Sequence, residues 1–555
     1  MSLRWPVAAT VVSLLSACAR RHGAGAFSSR QVAGIDSVFA QYTKAGSPGC
    51  AVGVYQNGAI AFSKGYGMAD LERDVPITPA TLFDLGSTSK QFAAASVILL
   101  ANEGKLALTD DVRKYVPEVP DYGSPITIDN LLRHTSGLRD YNGLLFFAGH
   151  RIEDATDDAD AIDIISRQKA LNFSPGTRWD YSNTGFFLLS IIVQRVTGKN
   201  LREFAKERIF TPLEMEKTHF RNDHNEILPG RALAYSPKEK DGFRIDLSNW
   251  DQLGDGAAQS SVVELIKWDQ NFYDPKVGGN ALLDQLQEPG TLSDGKPHSY
   301  GRGLFLDTYR GAKRVHHGGA WAGYRAMLMR FPDRKTSVAV LCNIGTARTS
   351  ALAEGVADVV LADVLEPRKT QPAGDLKASA APAADSARVG GMYYSESQHQ
   401  IIRIVAQGDS LMAKLGSNDV PLRKKGPSQY SVGGFLELTF PDGTGPAASF
   451  TVKRLADELG AYVRVEPARP DVAALGAYTG SYYSPELDTI WKIVVKDGKL
   501  VGSARALGET ALEPAMPDVF QGSGLLRFRR IGGRVSGFDV DAGRMFGIRF
   551  ERRGA

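Results

Sequence analysis

The stretch Asp84–Ala101, DLGSTSKQFAAASVILLA, decides how the rest of this 555-residue chain is read. From Phe92 to Ala101 it is apolar on every face, so a helix here is expected to lie buried between layers. Ser87 and Lys90 stand immediately before it. If the helix opens near Ser87, these two side chains, three residues apart, share one face. The serine hydroxyl then also sits at the positive end of the helix, where backbone N–H groups lack intrahelical partners. A serine needs a base to become a nucleophile, and a lysine serves when it is largely neutral. From a free value of about 10.4 its pKa must fall by roughly three units, worth about 4 kcal/mol. Burial and nearby positive charge can supply that fall.

The spacing Ser-x-x-Lys alone is weak, because Ser166–Lys169 and Ser293–Lys296 also match. The first lies in a polar helix-like stretch. The second is an Asp-Gly turn followed by Pro297. Neither opens a buried helix, so context selects Ser87.

Two further elements carry chemistry. In Trp179–Gly185 (WDYSNTG), Tyr181 offers a phenol that can relay a proton, and Asn183 an amide that can orient a substrate or the lysine. Its decoy, Tyr55-Gln56-Asn57, is explained by an Asn57-Gly58 hairpin turn. In Val315–Tyr324 (VHHGGAWAGY), His317 precedes Gly318 and Gly319 on an expected strand, where the missing side chains leave room for a substrate backbone. No spacing of His, Cys, Asp or Glu supports a metal, and no cofactor motif is present.

Taken in order, Ser87-x-x-Lys90, Tyr181-x-Asn183 and His317-Gly318-Gly319 resemble the serine β-lactamase and penicillin-binding protein superfamily, in its class C β-lactamase, D-aminopeptidase and esterase branch. Leu131–Tyr141 (LLRHTSGLRDY) and Gly254–Trp268 (GDGAAQSSVVELIKW) add to the likeness. The resemblance implies an α+β fold, an antiparallel sheet flanked by helices with an all-helical part. It also implies acyl transfer. Ser87 attacks, Lys90 and Tyr181 handle its proton, and the N–H groups of Ser87 and Ala320 form the oxyanion hole. Asn183 holds the substrate amide, while His317 supports Tyr181 or meets the leaving side. A histidine where β-lactamases carry a lysine weakens the case for carboxylate-bearing β-lactams. The expected substrate is a small peptide or amide containing D-amino acids, cut as by a D-aminopeptidase or DD-peptidase. A broad esterase, a weak β-lactamase, or a non-catalytic lipoprotein that binds cell wall are the alternatives.

The catalytic domain is expected over 27–368. An Ala- and Pro-rich linker follows at 369–388, then two small all-β barrel or lipocalin-like domains at 389–465 and 474–555. The last two look like copies. Gly391–Glu396 (GMYYSE) recurs as Gly480–Glu486 (GSYYSPE), and Ile401–Val405 as Ile490–Val494. The short break EPARPD, 466–471, separates them. At the other end, residues 1–18 carry one arginine, a short apolar run and Leu15-Ser16-Ala17-Cys18. This resembles a bacterial lipobox, in which Cys18 is lipidated and Ala19 directs the protein to the outer membrane, facing the periplasm; an ordinary secretory signal is the alternative. Membrane attachment is expected through that anchor only, and peptidoglycan is a candidate partner. Cys50 and Cys342, in apolar strand-like runs, read as small buried thiols, with a disulfide between them as the alternative. A net charge of +3, from 65 basic and 62 acidic residues, forecasts no nucleic-acid surface. Oligomeric state is not legible.

Overall fold

Two strands from the start of the first domain, β1 (Cys50–Gln56) and β2 (Ala59–Tyr66), join four from its end in one antiparallel sheet. The four are β3 (Phe305–Tyr309), β4 (Ala312–Trp321), β5 (Tyr324–Phe331) and β6 (Thr336–Cys342), and the order is β3-β4-β5-β6-β1-β2. The computed structural model describes residues 27–367, 381–415, 418–433, 436–454, 457–505 and 507–554. The expected signal segment 1–18, with Cys18, lies outside them, as do residues 369–380 of the expected linker.

β1 and β6 are buried along almost their whole lengths, because helices cover both faces of the sheet. Helices Ser29–Val38 and Thr349–Val360 pack on one face, around Ile35, Val52, Val340 and Val356. Val262–Asn271 and the all-helical part cover the other. At the centre of that second layer is the helix Lys90–Asn102, in which every residue from Lys90 to Leu100 is buried. Each large aliphatic or aromatic side chain removed from water there contributes about 1.5–3 kcal/mol. It packs against the helix Asn183–Thr197, which holds Ser87-x-x-Lys90 beside Tyr181-x-Asn183.

One expectation is corrected by the sheet. Cys50 and Cys342 are cross-strand partners in the β1–β6 register, with Cα atoms 4.0 Å apart, and they form a disulfide. They lie 292 residues apart, and only the pairing of strands from opposite ends of the domain brings them together.

The C-terminal part forms two closed eight-stranded barrels, over Gly391–Val465 and Gly480–Arg552. The expected linker is shorter than 369–388. Ala381 is fully buried in the first barrel, donates to Leu422 O and accepts from Leu411 N at 2.8 Å. The turn Ala383–Asp385 and short helix Ser386–Val389 follow it. Its Ala and Pro composition hides this, because small residues carry no periodic signal even when buried.

Candidate active site

Ser87 lies in a single 3-10 turn, Gly86–Ser89, that leads directly into the buried helix. It is the one half-open residue in a run that is otherwise buried from Leu82 to Leu100. Gly86 takes φ +48, and a Cβ on it would come within 2.7 Å of Ala320 N. A Cβ on Gly319 would stand 1.8 Å from Leu85 O. These two glycines let β4 press its backbone against the serine turn. On the side where a Cβ would stand, Gly319 is packed against the chain itself; at Gly318 a Cβ would meet Met327 at 3.3 Å.

Lys90 Nζ is fully buried and has three partners: Ser87 Oγ at 3.2 Å, Asn183 Oδ1 at 2.9 Å and the backbone carbonyl of Asp255 at 2.6 Å. Two of these are pure acceptors. A neutral amine has two N–H donors and one lone pair, so the Ser87 hydroxyl can donate to that lone pair. Burial pulls the Lys90 pKa down to about 7, with the Asp255 carboxylate opposing and Arg544 assisting. Asp255, itself buried, is raised in turn, and Lys90 holds part of that rise back.

Asn183 is the first residue of its helix, and its N–H donates to Asp140 Oδ2 at 2.8 Å. A carboxylate at a helix N-terminus is electrostatically favoured, and here it fixes the amide that meets Lys90. The Tyr181 ring lies 4.9 Å from Lys90 Nζ. Among the described residues its buried hydroxyl has no hydrogen-bond partner within the usual distance and angle limits, yet it stands near enough to Ser87 for that group to ease its ionisation. Burial dominates and keeps the phenol protonated.

His317, expected to support Tyr181 or to meet the leaving side, has two bonded partners. Its Nε2 meets the Tyr300 hydroxyl at 3.0 Å and its Nδ1 the Gly318 carbonyl at 2.6 Å. A neutral ring satisfies both, with Nδ1 donating and Nε2 accepting. Burial, helped by Lys90, pulls its pKa down to about 3. No hydrogen bond joins it to Tyr181; the ring centroids are 6.2 Å apart.

Ser87, Lys90, Tyr181, Asn183, His317 and Ala320 thus converge, all but buried Lys90 lining one cleft of about 790 Å³. Four residues that motif reading did not single out complete it. His134, at φ +58, stacks 4.1 Å from Tyr181 and accepts from Ser182 N at 3.2 Å. Asp140 and Asp255 flank the lysine. His134 and Asp140 lie within Leu131–Tyr141, and Asp255 within Gly254–Trp268, so the segments were visible although the roles were not. Arg544 comes from the last hairpin of the second barrel, and no local signal marks it.

A lysine-paired serine at the head of a buried helix, facing an antiparallel sheet across a cleft, defines a serine hydrolase of the Ser-x-x-Lys acyl-transfer type. A family model described as Beta-lactamase matches residues 35–362, and the chain belongs to that family. A D-aminopeptidase of Gluconobacter oxydans (strain 621H) is 31% identical over 345 residues, 62% of this chain and 64% of that protein. A D-aminopeptidase of Cereibacter sphaeroides (strain KD131) is 28% identical over 516 residues, 88% of this chain and 93% of that one, so the similarity runs on through the barrels. The octameric penicillin-binding protein homologue from Pyrococcus abyssi has the same fold, with a TM-score of 0.56 at 21% identity, over 85% of this chain and 97% of that chain.

Proposed function

We propose that the chain hydrolyses amide bonds of D-aminoacyl amides and short peptides through an acyl-enzyme on Ser87. The observation that carries this reading is the set of partners around the buried Lys90 Nζ: two fixed acceptors and one serine hydroxyl that opens to the cleft. Lys90 removes the Ser87 proton as the oxygen attacks the carbonyl. The N–H groups of Ser87 and Ala320 hold the developing oxyanion, and glycines at 86 and 319 allow those two backbones to approach. Tyr181 passes the proton to the leaving amine, and water then attacks the ester with Lys90 again as base. The choice of D-aminoacyl substrates is supported by the relatives that carry the name D-aminopeptidase, one of which aligns over nearly its whole length.

Export to the bacterial envelope belongs to the same reading. The Cys50–Cys342 disulfide favours an oxidising compartment, and the lipobox at Cys18 favours a lipid anchor in the outer membrane. Peptidoglycan fragments are then substrates within reach.

The test is a panel of D- and L-aminoacyl amides, peptides ending in D-Ala-D-Ala, p-nitrophenyl esters and nitrocefin, run on the wild type and Ser87→Ala. The expected result is Ser87-dependent turnover with preference for D-aminoacyl amides. Turnover of short esters alone would replace this reading with the esterase one. No Ser87-dependent turnover of anything would leave a binding protein.

A further inference from the structure

The second barrel reaches the catalytic centre through one hairpin, which joins strands Arg534–Ala542 and Met545–Arg552. Its tip, Ala542-Gly543-Arg544, lines the cleft beside Ser87 and Tyr181. The Arg544 guanidinium carbon lies 5.1 Å from the centre of the Tyr181 ring, and Nη2 is 3.4 Å from Asp140 Oδ2. Lys90 Nζ stands 4.9 Å from that same ring centre, so the two cationic groups are no more than about 10 Å apart.

The tip is held by its backbone. Asp140 N and Asn172 Nδ2 both donate to Arg544 O, at 3.1 and 2.9 Å, and Phe546 N donates to Asn172 Oδ1 at 2.9 Å. Behind it the buried pair Arg139–Glu486 at 2.5 Å and the Phe147–Trp491 stack at 5.2 Å fasten the barrel to the catalytic domain. The Arg544 side chain is not needed for any of these contacts, and it spends its charge inside the cleft.

We infer that Arg544 is a positioning residue for acylation: its fixed positive charge, beside Tyr181 and Asp140, disfavours a second positive charge on Lys90 and so keeps that lysine a base. The inference rests on the reading of Ser87 and Lys90 given above. The groups that face Lys90 are Asp255 and Asp140, which favour its protonation, and Arg544, which opposes it. The buried rings of His134 and His317 are held neutral, while Ser87, Tyr181 and Asn183 carry no charge. Among these groups Arg544 is the cation that offsets two carboxylates, and it also lies against one of them, Asp140. Removing it therefore acts twice in the same direction, by deleting the repulsion and by leaving Asp140 uncompensated. The catalytic centre is complete only when the second barrel is docked.

The experiment uses the full chain as wild type, Arg544→Gln, Arg544→Met and Arg544→Lys, each checked for folding by circular dichroism. The rate of Ser87 labelling by a fluorophosphonate is followed from about pH 5.5 to about pH 9, alongside kcat and KM on a D-aminoacyl amide. In the Gln and Met variants the acid limb should move up by about half to one pH unit, with a fall of about two- to fivefold at pH 7, about three- to tenfold well below it, and recovery in alkali. Arg544→Lys should follow the wild type. An unmoved limb in folded Gln and Met variants, or a change in KM alone at every pH, overturns the inference. Failure of the wild type to label on Ser87 would instead overturn the reading on which it rests.

Discussion

The two barrels are built alike and attached differently. Tyr393 and Tyr482, fully buried and 89 residues apart, each donate from the hydroxyl to a carbonyl four residues earlier, Val389 O at 3.1 Å and Tyr478 O at 2.7 Å. That anchor belongs to the barrel itself. Their faces toward the catalytic domain have diverged. The second barrel offers Glu486 to Arg139, both side chains 3% exposed, and stacks Trp491 on Phe147. At the same offset the first barrel has Ser397 and Ile402. It meets the catalytic domain through Arg178, which donates to Ser397 O at 2.8 Å and to Gln398 at 3.4 Å from a partly exposed position. A repeat keeps what its own core requires, and its surface is free to specialise. Here the second copy has become a wall of the active site.

Breaking the second barrel's attachment should have the largest effect. Glu486→Ala leaves Arg139 buried without its carboxylate and should cost about 3–5 kcal/mol in denaturant unfolding, with loss of Ser87 labelling. Arg178→Ala, on the first barrel's side, should cost at most about 1 kcal/mol. Equal losses for the two would remove the contrast. The disulfide comes next. Cys50→Ser should lower stability by about 2–4 kcal/mol, seen as a lower Tm, and the wild type should lose a similar amount under reductant. Neither barrel contains a cysteine, so probes confined to them should not respond. The smallest change sharpens the likeness: Tyr482→Phe should cost about 1 kcal/mol, and Tyr393→Phe somewhat more, because its hydroxyl also accepts from Arg464 Nη2 at 2.5 Å. A difference of several-fold between them would show that the shared anchor is not equivalent in the two copies.

Local pattern carried much of the fold. An all-apolar run reads as a buried helix, and the Asn57-Gly58 turn, with Asn57 at φ +50 and Gly58 at φ +77, lies where the hairpin was expected. Alternating strands with a repeat at fixed offset read as paired barrels. What stayed hidden depends on contacts across the chain. The Cys50–Cys342 bridge needs the register of two distant strands. Ala381 is a strand-edge plug whose burial has no periodicity to reveal it. In the site, Ser87, Lys90, Tyr181 and Asn183 are legible because each lies in a short motif at a helix start. Arg544 is one arginine among many until the last hairpin is seen against Asp140. The nature of His317 could be named, but its bonds to Tyr300 and Gly318 follow from how β4 lies in the sheet.

The central claim is that Lys90, its pKa pulled down to about 7 by burial, supplies the neutral amine that activates Ser87. A lysine whose pKa has fallen to about 7 is protonated below that value and cannot accept the serine proton, so acylation should rise with pH through about 7 and level off above it. Intact-protein mass spectrometry of the fluorophosphonate adduct, timed across that pH range in wild type, Ser87→Ala and Lys90→Ala, measures this directly. The account predicts one adduct on Ser87 with that pH profile, none in Ser87→Ala, and a rate lower by about 10²–10⁴ in Lys90→Ala. Wild-type kinetics in Lys90→Ala, or an adduct that survives Ser87→Ala, would contradict it.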